Sequence, residues 1–382
     1  FKLINEIFGI EKGNEILLKQ ADIIKKHAVD GYLYGRVGED HFVVIADEDT
    51  FNEEYLYECR ETLQNVLSDS VYNVRVCFGI YRTDNMNESL SFMCDKASFA
   101  VASIKDDTHS FIAYYDDTML EAAIKYKTIV DEFDDAIKAG EFKMYLQPQI
   151  SAKTRRLTGA EALVRRIKPD GTIISPIDFI PVYEKSGLIS RLDRYIWEQA
   201  AAKLGEWKKA GINMSISVNI SPKDFYYIDI FNTFAGLIKK YDIEPSNLKI
   251  EITETTIMSD VPNLMGELEE LRKAGFTLEM DDFGSGYSSL NTLKDINVDV
   301  LKVDMGFIKE TKNVKKSRII LASVIKMAKE LNLLIITEGV ETEEQVDNLT
   351  KLGCDVFQGY YFSKAIDVNE FEKRYLYRKK AG

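Results

Sequence analysis

From residue 141 onward, short apolar runs of strand length alternate with segments whose apolar residues recur every three or four positions. Eight such runs stand out: Met144–Ile150, Leu157–Arg166, Met214–Ile220, Leu248–Thr253, Thr277–Asp282, Val298–Asp304, Leu333–Glu338 and Val356–Phe362. Between them, single helical faces carry Leu192, Ile196, Ala200, Leu204 and Trp207, then Leu264, Leu268 and Leu271, then Ile320, Val324, Met327 and Leu331. Helix starts agree, with Pro262 just inside one and Thr342-x-x-Gln345 forming a capping box at another. Eight strands with intervening helices in about 240 residues predict an α/β fold, a (β/α)8 TIM-like barrel. Only Ser151–Arg156 joins the first two strands, too short for a parallel crossover, so the first strand is expected antiparallel and the barrel modified.

The first third has a different pattern. The run 15–27 carries Ile16, Leu17, Ile23 and Ile24 at helical spacing, and FKLIN before it reads as a strand end entering a helix. A hairpin follows (GYLYGRV, GED, HFVVIAD), then a helix near Glu53–Leu67, a strand near Val74–Ile80 and a helix near Leu90–Ala102. This predicts an α+β domain over 1–116. Residues 117–140 place Met119, Ile124, Ile129, Phe133 and Ile137 at spacings suited to one long helix, with Gly140 as its stop. Lacking a Ser/Gly/Pro run, that stretch is a helical connector rather than a flexible linker, and the barrel is expected over 141–382. All seven prolines lie between Pro148 and Pro262, which places a boundary before the first of them. The chain opens on Phe1, so an N-terminally truncated piece of a longer protein is expected.

Composition narrows the function. The 382 residues carry 49 basic and 62 acidic side chains, a net charge of −13, which excludes the basic footprint of sequence-independent nucleic-acid binding. No apolar run reaches membrane-spanning length. Cys59, Cys77, Cys94 and Cys354 are scattered without a C-x-x-C pair, as suits a reducing cytoplasm, with any membrane tether left to a missing N-terminal region. The last of three histidines is His109, so chemistry in the barrel runs without imidazole.

The polar residues within the strands suggest what that chemistry is. From the second strand to the eighth they are Glu161, Asn219, Glu251, Asp281 with Asp282, Lys302, Glu338 and Gln358. The stretch TLEMDDFGSGYSSL, 277–290, ends a strand in paired acids and breaks at glycine, as expected for a site at a strand's C-terminal edge. Five carboxylates at one mouth repel one another in a partly dry cleft, and Lys302 and Arg165 cannot balance them. Divalent cations can, and an all-oxygen donor set points to Mg²⁺ or Mn²⁺. Asp281 is suited to bridge two ions, which together activate a water and stabilise the leaving oxygen of a phosphodiester. The Asp282-Phe283-Gly284 tripeptide also occurs in protein kinases, but no glycine-rich loop precedes it and no histidine is available for a His-Arg-Asp motif.

Two resemblances follow from these residues. Glu161-Ala162-Leu163-Val164-Arg165, then SVNIS, EITET, DDFGSGYSSL, LKVD, TEGVET and QGYYF, resemble the EAL phosphodiesterase family from about residue 141 to 375. That resemblance implies hydrolysis of cyclic di-GMP to linear pGpG with two Mg²⁺ or Mn²⁺ ions. It implies Glu161, Asn219, Glu251 and Asp281 as metal ligands and Asp282 as the second-metal ligand. Lys302 would hold the attacking water, and Glu338 would be the general base or a second-metal partner. Gln147, Arg165 and Gln358 resemble substrate contacts, and Glu254 the acid that steadies the loop Asp282–Ser289. A homodimer through the barrel, with that loop near the interface, is also implied. Arg166 replaces the usual Trp and Ala365 a usual Pro, neither touching the metals. The alternative is a non-catalytic cyclic di-GMP receptor, which a lost ligand would favour, and every ligand is present.

The opening FKLINEIFGIEKGNEIL and YGRVGEDHFVVI resemble the GGDEF (diguanylate cyclase) domain. Its signature hairpin is here Gly38-Glu39-Asp40-His41-Phe42, with bulk and charge at Glu39 and no acid at His41. Asn5 keeps a guanine-contacting position, Asn14 replaces the accompanying Asp, and an Arg-x-x-Asp inhibition motif is absent. A degenerate domain follows, regulatory or structural, with GTP binding left open.

Overall fold

Strand alternation closes the larger part of the chain into a barrel. The computed structural model describes residues 1–382 except 29–30, 67–73, 84, 86, 106, 108, 259–260, 262, 284–292, 295, 307–313 and 378–382. Packing divides it into two compact units, Phe1–Thr128 and Ile129–Gly382. That division falls inside the helical stretch expected over 117–140, which is two helices, Asp117–Asp131 and Phe133–Lys138, rather than one. Gly140 ends it at φ 65°.

In the second unit the barrel strands are Phe142–Ser151, Leu157–Ile167, Ile216–Ile220, Leu248–Thr253, Leu278–Asp281, Val300–Asp304, Leu334–Glu338 and Val356–Phe357. Each pairs with the next, and the eighth pairs back onto the first. The first strand is antiparallel to both neighbours, as its short connection requires, while the second to the eighth run parallel. Two-residue strands at Ile173–Ile174 and Ile366–Asp367 flank the second and first strands.

Outside the strands, the helix Ile189–Lys209 buries Leu192, Ile196, Ala200, Leu204 and Trp207, and Leu264–Lys273 buries Leu264, Leu268 and Leu271. Pro262 lies outside the described residues. The helix Val314–Glu330 differs from its expectation, because Leu321, Ile325 and Ala328 are buried while Ile320 is exposed and Leu331, just past the helix end, is more so. Its apolar arc is wide enough for two readings one residue apart, and the sheet selects the second. Thr342 and Gln345 form the capping box of Glu343–Leu352.

The eighth strand stops at Phe357 rather than Phe362. A Cβ on Gly359 would lie 2.2 Å from the Val340 carbonyl oxygen, so only glycine allows the two backbones to meet there. Val340 N–H donates to the Gln358 carbonyl at 3.2 Å, tying the seventh and eighth strand ends together.

The first unit carries the helices Lys2–Phe8, Ile10–His27, Glu54–Asn65 and Leu90–Ser103. Residues 2–8 are thus helical, not a strand end. An antiparallel hairpin pairs Leu33–Gly38 with His41–Ile45, and Phe78–Ile80 lies parallel to Ile112–Tyr114. One small core gathers Ile16, Ile23, Cys59, Leu63 and Val74.

Candidate active site

Residues two apart on a strand share a face, and this rule assembles the barrel interior. Val300, Ile336 and Val356 form a small buried apolar cluster. Two residues further along the same strands stand Lys302, Glu338 and Gln358. Across the barrel, Gln147 pairs with Glu161, Asn219 with Glu251, and Glu251 with Glu279 in register.

Lys302 is the centre of the site and is fully buried. Its Nζ lies 2.7 Å from Glu338 Oε1, 2.9 Å from Glu251 Oε2, 3.3 Å from Asp281 Oδ1 and 3.6 Å from Glu161 Oε2. Burial alone would favour the neutral amine, but the four carboxylates hold its pKa well above the ordinary value, so it is an ammonium. Burial raises the carboxyl of Glu251 well above its usual range, with Glu161 adding to the effect and Lys302 opposing it. Burial pushes Glu338 up to about 8 against the pull of Lys302.

One ammonium does not satisfy four acids. Both oxygens of Glu251 and Oε1 of Glu338 are buried without a well-directed hydrogen-bond donor. Among the described residues no three carboxylate, imidazole or thiolate side chains are drawn in as a ready cage for an ion; the Lys302 ammonium takes the middle. The unsatisfied oxygens and the all-oxygen donor set nevertheless fit a hard divalent cation.

An amide network closes one wall. Gln358 donates through Nε2 to Glu161 Oε2 and to Gln147 Oε1 at 3.2 Å. Asn219 Nδ2 donates to Glu161 Oε1 at 3.4 Å, and Trp197 Nε1 holds the Asn219 carbonyl at 2.9 Å. Gln147, Glu161, Asn219 and Gln358 therefore meet in one network.

Other expected residues stand apart from this cluster. Arg165 donates to the Val164 carbonyl at 2.7 Å and lies 5.9 Å from the centre of the Tyr145 ring. Asp282 sits beside the cluster in left-handed backbone, φ 56°, a conformation costly for a residue with a Cβ and often found at functional positions. Glu254 is buried at the start of Glu254–Met258, but residues 284–289 of the loop it was expected to steady lie outside the described residues, as does that part of the expected dimer contact.

Sequence reasoning passed over two buried groups, Gln149 and Glu279, and the half-buried Lys249 beside them. Gln149 Nε2 donates to Gln358 Oε1 at 3.3 Å. Glu279 accepts from Ser217 Oγ and Lys249 Nζ, both at 2.8 Å, so this acid brings its own counter-charge and leaves Lys302 to the mouth. The signal was present, since Gln149, Lys249 and Glu279 each lie two residues before or after a residue already singled out: Gln147, Glu251 and Asp281.

The EAL domain family model matches residues 130–365. The chain belongs to the EAL family. The model for the diguanylate cyclase, GGDEF domain, matches residues 1–110. The chain is 31% identical over 379 residues to the signaling protein YkoW of Bacillus subtilis, covering 98% of this chain and 47% of that protein. It is 28% identical to the bifunctional diguanylate cyclase/cyclic di-GMP phosphodiesterase MucR of Pseudomonas aeruginosa, covering 97% and 55%. The chain spans about half the length of these curated relatives. The solved PaMucR phosphodiesterase, in complex with c-di-GMP, superposes with a TM-score of 0.60 at 32% identity, covering 64% of this chain and 99% of that one. An EAL domain protein from Listeria monocytogenes EGD-e gives 0.55 at 32%, covering 64% and 97%. Within the EAL frame, Glu161-Ala162-Leu163 is the signature tripeptide on the second barrel strand.

In the GGDEF hairpin, Glu39 occupies a glycine position at φ 33°, a conformation that disfavours a side chain. Arg36 Nε holds the Glu39 carbonyl at 2.7 Å. A Cβ on Gly13 would collide with Asn5 Oδ1 at 1.9 Å, so the Asn5 amide fills the space that the glycine leaves. Asn14 is exposed.

Proposed function

We propose that residues 129–382 hydrolyse cyclic di-GMP to linear pGpG in a metal-dependent reaction. What supports the reading is one buried ammonium, Lys302, among four carboxylates at the mouth of a closed barrel in a chain of the EAL family. Glu161, Asn219, Glu251, Asp281 and Asp282 would hold Mg²⁺ or Mn²⁺, two ions in all. When bound, the ions supply Lewis acidity that eases deprotonation of water and steadies the leaving oxygen.

The residues of the chain do the rest. Gln147, Arg165 and Gln358 orient the substrate, Arg165 as a cation matched to a phosphodiester. Lys302 orients the attacking water, and Glu338 at 2.7 Å from Lys302 takes its proton. The water oxygen forms the new bond to phosphorus while the bond from phosphorus to O3′ breaks; O3′ takes a proton from solvent water, leaving a 5′-phosphate and a free 3′-hydroxyl. Glu254 steadies the loop that begins at Asp282. A homodimer through the barrels belongs to the same proposal, and a fully active monomer in light scattering at high concentration would exclude it.

The test is to incubate the chain with cyclic di-GMP and Mg²⁺ and quantify pGpG. Binding without product would replace the enzyme by a receptor. The GGDEF-like unit is proposed to be inactive as a cyclase and to serve as a regulatory or structural module.

A further inference from the structure

Arg166 follows Arg165 on the second barrel strand, so the two side chains lie on opposite faces. Arg166 turns away from the site and is 2% exposed. Its Nε donates to Glu141 Oε2 at 2.9 Å and its Nη2 to Glu132 Oε2 at 2.7 Å. Glu132 is the residue at which the helical stretch breaks between Asp117–Asp131 and Phe133–Lys138, and Lys168 approaches its other oxygen at 3.6 Å. Phe133, next to it, is buried between the rings of Phe142 and Tyr183. The Ile167 N–H donates to the Glu141 carbonyl at 2.8 Å. The C-terminal end of the second strand is therefore held from outside by two carboxylates, one of them belonging to the helical stretch before the barrel.

We infer that Arg166 is a positioning residue: clamped between Glu132 and Glu141, it fixes the strand end that carries Arg165 and so makes the substrate contact depend on the segment entering the barrel. A buried guanidinium paired with two acids tolerates the loss of either partner badly, because the remaining charges stay desolvated. Loss of either contact should therefore loosen the strand end and, with it, the position of Arg165. This rests on the cyclic di-GMP reading for its kinetic consequence but not for its structural one.

Two measurements test it. In the protein without substrate, Glu132→Gln should speed hydrogen exchange at the amides of 163–167 relative to wild type while the fourth strand, Leu248–Thr253, is unchanged. Equal exchange in both proteins would overturn the clamp, whether or not cyclic di-GMP is the substrate. In steady-state hydrolysis, Arg166→Met should raise KM about ten-fold with kcat within about two-fold, the mark of lost binding rather than lost chemistry. In an Arg165→Ala background the same change should add nothing further, since the two act through one contact. Arg166→Lys should recover part of the loss. An unchanged KM, or full additivity with Arg165→Ala, would reduce Arg166 to a stabilising residue and sink the inference. A wild-type chain that yields no pGpG would count against the cyclic di-GMP reading, and the exchange result would still decide the clamp.

Discussion

At the scale of single residues the site is set by charge. Glu338 touches Lys302 at 2.7 Å and sits beside Gly339, whose φ of 66° turns the chain away at the strand end. General-base help is typically worth ~10²–10⁴ in rate. Glu338→Gln keeps the shape and removes the base, so turnover should fall by at least ~10² while cyclic di-GMP binding stays within a few-fold. Near wild-type hydrolysis by this variant at saturating Mg²⁺ would remove the seventh strand from the chemistry. Glu161→Ala should behave otherwise. It strips a carboxylate whose two oxygens Gln358 and Asn219 hold in place, one each, so metal affinity in a calorimetric titration should drop and excess Mn²⁺ should restore part of the rate. Loss of activity with unaltered metal affinity would count against it. The polar residue in each strand was legible because apolar neighbours surround it on both sides. Glu279, Lys249 and Gln149 were passed over because their charges and amides are matched inside the barrel, and a pattern search for strand-end acids does not look one pleat deeper.

At the scale of elements, the order of strands and the antiparallel first strand followed from connection length, since six residues cannot cross a barrel. Helix faces were less secure. Val314–Glu330 has apolar residues on adjoining stripes, and only packing chooses between Ile320 and Leu321. The segment leaving the third strand shows a feature no pattern announces. Asp224, fully buried, faces Asp193 on the helix Ile189–Lys209, with Ser190, the Ser221 N–H and Glu184 around them. Burial raises both carboxyls, Asp224 to about 6 and Asp193 well above its usual range, with Asp224 adding to the effect on Asp193. The unfolded chain releases these protons near 4. The folded state therefore binds more protons than the unfolded one in this window, and stability falls as pH rises from about 4 through 6 and above. Asp193→Asn mimics the protonated partner and should flatten that fall, so its stability relative to wild type should be greater at pH 8 than at pH 4.5. Thermal unfolding of both proteins across this range is the check, and parallel curves would refute it.

At the scale of the whole molecule, two compact units carry two family signatures, and among the described residues no helix is long and apolar enough to cross a membrane. The two domain types were legible because their motifs keep order and spacing. The break at Glu132 was not, because Glu and Phe both continue a helix and only the tertiary pull of Arg166 and the Phe142–Tyr183 pocket marks the place. The units ask for different chemistry, and the first is proposed to be inactive as a cyclase. Joining two GTP molecules requires the hairpin to pass close to phosphates and a carboxylate to follow the Asp. Here the turn residue is Glu39, whose carboxylate repels phosphate and whose backbone already stands at φ 33°, and the following position is His41, exposed and 3.6 Å from Asp40. An imidazole is a poor ligand for Mg²⁺ beside water and carboxylates. The chain incubated with GTP and Mg²⁺ should therefore form no cyclic di-GMP, and enzyme-dependent product would overturn the inactive reading. Nucleotide binding is a separate matter, because Asn5 is retained and Asn14 faces solvent. If GTP docks there and the first unit regulates the second, a GTP titration should change the rate of cyclic di-GMP hydrolysis, and Asn5→Ala should abolish the change without altering the rate in the absence of GTP. A flat titration would leave the first unit with a structural role alone.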